Sequence, residues 1–292
     1  EEPVSAELRS IPPVRRTIAV NELDFPYSIR ALMKFWNTLY LDAGAFKMDA
    51  QASPDWNRGA YLTQALAHCG ECHSPRNLLG AKKPGERMTG GEYLDSVPGG
   101  HVRPWSAPDL TSAETGLGMW PHEEIAAYLA KGKNAYLESF GPMNEVIANS
   151  TQYLRADDIG AMATYLKSLP GENATSRPEA DERTLGMGRT QYNLHCGTCH
   201  LPTGLGDEEM APRLAQGSLV VRAENPASLI NVILYGPQQA ELDSPSSFRN
   251  PMEEFQYLLN DEEVAALASF VRSSWENNAG AVTPEKVARQ RQ

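Results

Sequence analysis

The sequence predicts an all-α protein made of two similar small domains, and three observations lead to that prediction. The chain has 292 residues, enough for two domains of about 150 residues each. Its four cysteines fall in two copies of one five-residue pattern, one copy in each half of the chain. Apolar residues recur at helical spacing around both copies, whereas the Gly- and Pro-rich segments between them show no strand alternation. We therefore expect a few helices around each cysteine pattern.

The composition of the chain limits the functions that it can have. Hydrophobic residues make up 41% and charged residues 22% of the chain, which is ordinary for a folded protein. A net charge of -11 argues against a nucleic-acid partner, because nucleic-acid binders carry basic surfaces. No stretch approaches the roughly 18 apolar residues of a membrane span. The first residues contain no basic start and no apolar run, so we expect that any signal peptide has already been removed.

Both cysteine patterns have the order Cys-x-x-Cys-His, which is the attachment signature of haem c. The two copies are Cys69-Gly70-Glu71-Cys72-His73 and Cys196-Gly197-Thr198-Cys199-His200. Two thiols three residues apart lie on one face of a helical turn, where they can add across the two vinyl groups of a haem. The histidine that follows points at the iron as its proximal ligand. The sequence therefore predicts two haem c groups, held by the four cysteines and ligated by His73 and His200.

Three other interpretations of the cysteines are weaker. A Cys₄ zinc site usually has its two pairs about 15–20 residues apart, much closer than the two pairs here. A thioredoxin-like redox pair would explain one motif, but it would not explain a histidine after both. Simple disulfides would not require that histidine either.

The chain is predicted to divide around the two motifs. Polar, breaker-rich residues near 170–183 indicate a linker. The predicted segments are an N-terminal extension (1–50), a first haem domain (51–170), the linker (171–183), a second haem domain (184–278) and a C-terminal tail (279–292). The extension contains the amphipathic segment Ile29–Leu41, interpreted as a packing helix between the halves rather than a membrane anchor. The polar tail is expected to be a docking arm or frayed.

Apolar spacing predicts helices along both domains. The predicted helices cover Trp56–Cys69, the residues around Ile125–Leu129, Ile159–Leu169, Leu185–Cys196, Ala227–Tyr235 and Val264–Trp275. Acidic residues cluster where three of these helices start, at Glu123–Glu124, Asp157–Asp158 and Asp261–Glu263. Carboxylates suit the positive end of a helix dipole, so we interpret these clusters as capping and solvation rather than as catalytic groups.

A haem held by one histidine still needs its sixth iron position assigned. A Met thioether there raises the potential and blocks other ligands, whereas an open position permits catalysis. The methionines that follow the motif histidines are Met88, Met119, Met143, Met162, Met210 and Met252. Met143 and Met252 are favoured, because each follows a proline in a loop that precedes a closing helix. Met162 is expected in the core, and Met210 follows His200 too closely. His101 is the one histidine kept as a rival.

Further motifs surround the two signatures. They are Arg-Gly-Ala-Tyr-Leu at 58–62, His-Cys-Gly-Glu-Cys-His-Ser-Pro-Arg-Asn at 68–77, Ala-Pro-Asp-Leu-Thr at 107–111, Gly-Leu-Gly-Met-Trp at 116–120, Gly-Pro-Met at 141–143 and Tyr-Leu-Lys-Ser-Leu-Pro at 165–170. Together they resemble the multihaem cytochrome c subunits of membrane-associated alcohol, aldehyde and gluconate dehydrogenases. The second half is similar to a class I cytochrome c domain, with Gly188, Tyr192 and Cys196 at four-residue intervals and Phe270 on its last helix.

The resemblance implies a fold and a function. It implies two tandem cytochrome c-like domains that take electrons from a catalytic dehydrogenase subunit and deliver them to quinone or another cytochrome. It also implies a bacterial periplasmic protein, soluble or peripherally attached to the inner membrane, because haem c is attached outside the cytoplasmic membrane. That family commonly carries three haem motifs and this chain has two. Either the protein is a natural dihaem version or a first domain has been removed.

The remaining predictions concern the haem environment and the kind of activity. Arg76, Arg103 and Trp105 lie in loops near the signatures and are predicted to contact haem propionates, the arginines through charge-assisted hydrogen bonds. No residue set is predicted to be catalytic, so the protein is expected to be an electron-transfer subunit and not an enzyme. The alternative is a dihaem enzyme, peroxidase-like or a small-molecule oxidase, with one open haem.

Overall fold

Helices account for most of the regular structure in the part of the chain that is described. The computed structural model describes residues 6–291 apart from 8, 18, 20, 21, 42, 98, 99, 173–176, 208 and 238–251. Two compact units are present, Glu1–Ala45 and Phe46–Gln292. Within the second unit we call residues 46–170 the N-terminal half and residues 177–291 the C-terminal half. Residues 173–176 of the predicted linker, and Asn250 and Pro251 of the predicted Met252 loop, lie outside the described residues.

The predicted helices form close to their expected positions. The α-helices are α1 (Ala31–Tyr40), α2 (Pro54–Tyr61), α3 (His122–Lys131), α4 (Met143–Asn149), α5 (Ala156–Ser168), α6 (Glu182–His195), α7 (Gly197–His200), α8 (Leu219–Arg222), α9 (Ala227–Tyr235), α10 (Asp261–Ser273) and α11 (Pro284–Gln290). A π-helical turn covers Leu62–Leu66, and 3₁₀ turns cover Cys69–Glu71, Leu117–Met119 and Thr151–Tyr153. Helix α1 is the predicted amphipathic helix, and none of its residues is buried. Within the described ranges, no helix has the length and apolarity needed to cross a bilayer.

The same close helix crossing occurs in both halves. Helix α2 packs on α5 in the N-terminal half, and α6 packs on α10 in the C-terminal half. A Cβ at Gly59 would lie 1.9 Å from the carbonyl oxygen of Ala161, and one at Gly188 would lie 2.0 Å from that of Ala266. Glycine is therefore required at both crossings, because any side chain would force the helices apart. Each crossing joins the helix that leads to a Cys-x-x-Cys-His motif to the last long helix of its half.

Each half has its own buried apolar cluster, although the first also includes Leu219 and Val220 from the C-terminal half. Buried members of the N-terminal cluster include Leu62, Leu117, Trp120, Ile125, Leu129, Ile159, Met162 and Leu166. Buried members of the C-terminal cluster include Tyr192, Val221, Leu229, Ile230, Leu234, Val264, Leu267 and Val287. The helical spacing predicted several of these residues, which confirms the apolar faces assigned to α3, α5 and α10.

The expectation that the connecting segments contain no strands is wrong for residues 91–107. Strands β1 (Gly91–Val97) and β2 (His101–Ala107) form an antiparallel hairpin in which Gly91 faces Ala107 and Val97 faces His101. Most of β1 is exposed, and β2 is buried only around Trp105 and Ser106. With so little of the hairpin in the core, its sequence lacks the alternation that marks a half-buried strand.

Two other expectations are corrected. The helix predicted to run without interruption from Trp56 to Cys69 changes to a π turn after Tyr61 and ends before His68, whose φ is +40°. The C-terminal tail is neither frayed nor a free docking arm, because it forms α11. Val287 in that helix is fully buried in the C-terminal cluster, and burying a valine side chain contributes about 1.5–3 kcal/mol.

The acidic start of α10 has the capping role that the sequence predicted, whereas that of α5 takes part in an ion pair. Asn260 and Glu263 form a reciprocal capping box at the start of α10. In the first turn of α5, Asp158 accepts from Arg58 of α2 at 2.6 Å from Nε and 3.0 Å from Nη2. This charge-assisted pair ties the two crossing helices of the N-terminal half together.

The Arg58–Asp158 pair predicts a pH-dependent stability difference. The hydrogen bond from Arg58 lowers the pKa of Asp158 below its usual value of 3.8. A depressed folded-state pKa means that the contribution is complete above the unfolded pKa and disappears as the pH falls through the folded pKa. Because the Arg58 side chain is half-exposed, Asp158→Asn is expected to reduce the free energy of unfolding by at most about 1 kcal/mol near pH 6, and by progressively less as the pH falls through the folded-state pKa of Asp158.

Chemical denaturation at several pH values measures this difference. Asp157→Asn is the matched control, because the carboxylate of Asp157 is 90% exposed and lies 3.6 Å from Arg155. The control is expected to change stability little at any pH. An equal loss for Asp158→Asn at both ends of the pH range would show that the ionised pair is not responsible.

Candidate functional site

Both signature motifs fold into the same short turn. In the first, the carbonyl oxygen of Cys69 accepts the backbone N–H of Cys72 at 3.3 Å and that of His73 at 3.0 Å. In the second, the corresponding two bonds reach the carbonyl of Cys196 at 3.1 and 2.9 Å. Residues three and four positions apart share a face of such a turn. The repeat in the sequence is therefore also a repeat in the structure.

A proline carbonyl orients the histidine of each motif. His73 Nδ1 lies 2.8 Å from the carbonyl oxygen of Pro108, and His200 Nδ1 lies 2.8 Å from that of Pro212. A carbonyl oxygen only accepts hydrogen bonds, so Nδ1 is the protonated nitrogen of both neutral rings. Nε2 then carries the free lone pair that can bind a metal. Support of the far ring nitrogen by a backbone carbonyl is typical of metal-ligating histidine.

Burial keeps these side chains uncharged. It lowers the pKa of both His73 and His200, an effect that the hydrogen bond at Nδ1 partly opposes. It raises the pKa of the Cys69 thiol to about 11 and that of the Cys196 thiol to about 12. Neutral imidazole is the form that ligates iron. A metal ion binds cysteine as a thiolate, so a thiol with a raised pKa is a poorer metal ligand. The sulfur of a thioether link to haem is neutral, which agrees with these raised pKa values.

The donor set of each motif fits a covalently attached haem. All four thiols are unpaired and half-buried. In the part of the chain that is described, no three His, Cys, Asp or Glu side chains converge as a ligand set for a metal ion. Each motif therefore offers two free thiols and one unprotonated Nε2, the three groups by which a protein holds haem c. The four cysteines do not meet in a single zinc site.

Met143 lies beside the apolar cluster that the first motif also contacts. The predicted non-helical loop ends at Pro142, since Met143 begins the short helix α4. Gly141 has a φ of +56°, and a Cβ there would lie 2.8 Å from the Trp105 ring, so glycine is required against this indole. Both Met143 and Cys69 pack against the N-terminal cluster. Ligation of iron by Met143 stays a prediction.

Met252 has the corresponding surroundings in the C-terminal half. It is half-buried and packs against the same apolar cluster as Cys196. Its rival Met210 is 40% exposed, and the rival histidine His101 is exposed at the start of β2. Met252 remains the predicted ligand of this half.

The other candidate methionines of the N-terminal half contact protein groups. Met162 is fully buried within α5, as predicted for a core residue. The sulfur of Met119 accepts a hydrogen bond from Arg222. Met88 is 4% exposed, and a Cβ added at Gly70 of the first motif would lie 3.8 Å from its Sδ.

The three predicted propionate-binding residues have different surroundings. Trp105 is 4% exposed, and its Nε1–H is buried without a hydrogen-bond partner. Arg76 donates to the carboxylate of Glu71 at 2.6 Å. Arg103 lies over the ring of Tyr235, with Cζ 3.8 Å from the ring centroid. Trp105 therefore offers a buried donor to a ligand, whereas protein groups engage the two arginines.

Pro108 and Pro212, which act through their backbone carbonyls, are absent from the residues predicted from the motifs. Every residue has a carbonyl, so side-chain chemistry does not mark the one that a histidine uses. One signal is nevertheless present, because Ala-Pro-x-Leu follows each motif, at 107–110 and at 211–214. This repeat places a proline carbonyl after each motif histidine.

The two motif sites carry the groups that hold haem c, and comparison with known proteins identifies a cytochrome c domain. Residues 187–275 match the cytochrome c family model, so this part of the chain is a cytochrome c domain, whose cofactor is haem c. Over nearly its whole length the chain is a relative of the cytochrome c subunits of dehydrogenases, as its motifs predicted. The predicted relationship is therefore confirmed.

Three relatives show the extent of the match. The chain is 31% identical to the fructose dehydrogenase cytochrome subunit of Gluconobacter japonicus, over 96% of the chain and 61% of that protein. It is 33% identical to the alcohol dehydrogenase (quinone) cytochrome c subunit of Gluconobacter oxydans, over 93% of the chain and 59% of the relative. It is 30% identical to the gluconate 2-dehydrogenase cytochrome c subunit of Pantoea cypripedii, over 96% of the chain and 66% of the relative. The chain thus spans about three fifths of the first two relatives.

Proposed function

We propose that the protein is a dihaem c-type cytochrome whose two halves are tandem cytochrome c-like domains and whose role is electron transfer. The observation that supports this most strongly is the repeated site. In both halves a Cys-x-x-Cys-His turn carries a histidine whose Nδ1 lies 2.8 Å from a proline carbonyl. When bound, haem c supplies a one-electron Fe(III)/Fe(II) couple. The cysteines would hold it through thioether bonds and the histidines through Nε2.

The axial ligands we propose opposite His73 and His200 are Met143 and Met252. Each methionine shares an apolar cluster with the first cysteine of its motif. A thioether in the sixth position raises the potential and closes the iron to small molecules. Both effects suit electron transfer. The alternative function, a dihaem peroxidase-like enzyme or small-molecule oxidase, requires at least one open iron position.

Trp105 is the propionate contact that the structure favours. Its indole N–H is buried and unpartnered, and a buried donor without an acceptor costs about 1–3 kcal/mol. A propionate oxygen would accept from it in a charge-assisted hydrogen bond. Arg76 and Arg103 would have to exchange their present contacts with Glu71 and Tyr235 to take the same role.

The partner we propose is a catalytic dehydrogenase subunit, and the acceptor is quinone or another cytochrome. This proposal comes from relatives whose names identify them as cytochrome subunits of fructose and alcohol dehydrogenases. The net charge of -11 favours a partner with a basic docking surface, because complementary charge accelerates encounter. A periplasmic location, in solution or attached peripherally to the inner membrane, follows from the site of haem c attachment in bacteria.

Counting haem and replacing the two axial methionines test this function. A pyridine haemochrome assay on the purified protein is expected to find two haem c groups per chain. Met143→Ala and Met252→Ala are each expected to abolish about half of the thioether-to-iron charge-transfer absorption. Each should also lower the potential of one haem by at least about 59 mV, which is a tenfold change for a one-electron couple.

Met210→Ala is the control for these variants, because Met210 is 40% exposed and follows the same histidine as Met252. It is expected to leave both potentials and the absorption unchanged. A high-spin or five-coordinate haem in the unmodified protein would support the enzyme alternative. Full absorption in both axial variants would show that other residues ligate the iron. Co-purification with a large dehydrogenase subunit would identify the partner.

A further inference from the structure

The two proline carbonyls that orient the motif histidines lie next to contacts between the halves. Pro108 follows β2, and the last residues of that strand meet helix α9 of the C-terminal half. Pro212 is followed by a loop that meets two aromatic rings of the N-terminal half. Each of the two proline carbonyls therefore lies in a segment that contacts the opposite half. We call these contacts between the halves the junction.

The first contact is a set of three buried hydrogen bonds between Ser106 and Ser228. The backbone N–H of Ser106 donates to Ser228 Oγ at 2.9 Å, and Ser228 Oγ donates to the carbonyl of Ser106 at 2.9 Å. The backbone N–H of Ser228 donates to Ser106 Oγ at 3.1 Å. The two serines are 6% and 4% exposed. Ser106 lies two residues before Pro108, so these bonds fix the chain next to the carbonyl that His73 uses.

These hydrogen bonds pair backbone groups at the start of α9 and on the outer edge of β2 that have no partner within the described part of their own half. Ser228 lies in the first turn of α9, whose backbone N–H groups have no acceptor within the helix. Strand β2 pairs with β1 on one edge and presents its other edge to α9. There the fully buried Asn231 donates from Nδ2 to the carbonyl of Pro104 at 2.8 Å. The helix start and the strand edge therefore complete each other's hydrogen bonding across the junction.

The second contact supports the other histidine from the opposite side. Arg213, directly after Pro212, lies over the ring of Tyr136 with Cζ 4.8 Å from the centroid. Tyr136 stacks on Trp120 at 5.4 Å, and Trp120 Nε1 donates to the carbonyl of Gly217 at 2.8 Å. A Cβ at Gly217 would lie 2.9 Å from the Tyr136 ring, so the loop rests directly on this aromatic pair.

We propose that the support is reciprocal: Ser228 of the C-terminal half is a positioning residue for His73, and Tyr136 of the N-terminal half is a positioning residue for His200. Each histidine then takes its orientation from a carbonyl that the other half holds in place. The inference rests on the proposed dihaem function. Its consequence is that the redox property of each haem depends on residues of the half that does not bind it.

The physical link is the hydrogen bond from Nδ1 to the carbonyl. A strong hydrogen bond from Nδ1–H makes the imidazole a more basic ligand, and a more basic ligand stabilises the oxidised iron. Loosening the carbonyl weakens this bond, favours the reduced iron and raises the potential. Ser228→Ala is therefore expected to raise the potential of the haem at His73, and Tyr136→Leu that of the haem at His200. Each shift should be about threefold in the reduction equilibrium, or about 28 mV for a one-electron couple.

Spectroelectrochemical titration of the haem-loaded full chain measures both potentials, and single His73→Gly and His200→Gly variants assign them. Matched controls lie in the same halves. Ser269 is fully buried, and its Oγ bonds the backbone of Val282 within the C-terminal half. Tyr165 is a buried tyrosine of the N-terminal half, and its ring lies 5.2 Å from that of Trp56, away from the loop after Pro212. Ser269→Ala and Tyr165→Leu are expected to leave the potential of the haem in the opposite half unchanged.

The crossed pattern distinguishes positioning from general destabilisation. Ser228→Thr keeps the hydroxyl and should restore the parent potential, and Ser106→Ala tests the same bonds if Ser228→Ala does not fold. Shifts confined to the haem in the mutated half, or equal shifts at both haems, would overturn the inference. Absence of bound haem from the unmodified protein would instead refute the proposed function and is recognised before any variant is made.

Discussion

Of the two low-spin haems proposed for the parent protein, a His200→Gly variant is expected to retain one. His200 is 8% exposed, its Nδ1 lies 2.8 Å from Pro212 O, and Nε2 is therefore the atom left to bind iron. Glycine removes that ligand and leaves a space of about the size of an imidazole. Electron paramagnetic resonance of the oxidised protein counts low-spin centres directly. Added imidazole should restore the second signal if the haem remains attached.

His195→Gly is the matched control for this variant. His195 directly precedes Cys196, and its ring lies 5.6 Å from that of Phe255. It belongs to the same motif region but is not the predicted ligand, so both low-spin signals should persist. Two unchanged signals in His200→Gly would show that another residue is the proximal ligand of the second haem.

The local turns that carry the two motifs were easier to predict from the sequence than the contacts around them. Cysteine and histidine at fixed spacing reflect a local requirement, so the motif turn could be derived without any knowledge of the fold. Most of the helices were also predictable, because apolar spacing on α5 and α10 reflects burial of one face. The lengths of those helices depend on local details, and the change after Tyr61 and the positive φ of His68 have no clear sequence signal.

The features that could not be predicted depend on contacts between distant residues. The hairpin at residues 91–107 is held partly by α9, and nothing near Ser106 in the sequence indicates Ser228 as its partner. Similarly, Trp120 and Tyr136 could be expected in a core, but not as the surface on which the loop after Pro212 rests. Such contacts follow from tertiary packing, which single-sequence patterns do not encode.

Arg272 shows the same limit at a single residue of α10. The apolar spacing that marks Val264, Leu267, Ala268 and Val271 as buried does not mark an arginine, because arginine is almost never fully buried unless it is paired. Arg272 is nevertheless 2% exposed. Burial lowers its pKa to about 10, so the guanidinium is still charged at neutral pH.

This buried cation connects three segments of the C-terminal half through backbone carbonyls. Nη1 donates to the carbonyls of Val221 and Ala223, both at 2.8 Å. Nε donates to the carbonyl of Gly280 at 3.0 Å, and Nη2 donates to that of Ala279. The end of α8 and the turn after α10 are thus held by one side chain. Four carbonyl dipoles directed at the guanidinium offset part of the cost of removing its charge from water.

Arg272→Met is expected to lower the free energy of unfolding by at least about 3 kcal/mol, because each buried carbonyl left without a donor costs about 1–3 kcal/mol. Denaturant titration of the haem-loaded protein measures this as a lower midpoint. Lysine keeps the charge but has fewer hydrogen-bond donors in a different geometry. The stability of the Arg272→Lys variant should therefore lie between those of the parent protein and Arg272→Met. Arg155→Met is the control, since Arg155 has a side chain that is 82% exposed, and its change should stay within about 0.5 kcal/mol. A loss below about 1 kcal/mol for Arg272→Met would mean that water replaces the guanidinium at these carbonyls. The packing of α10 against α6 and α11 would then be sufficient to hold the C-terminal half together.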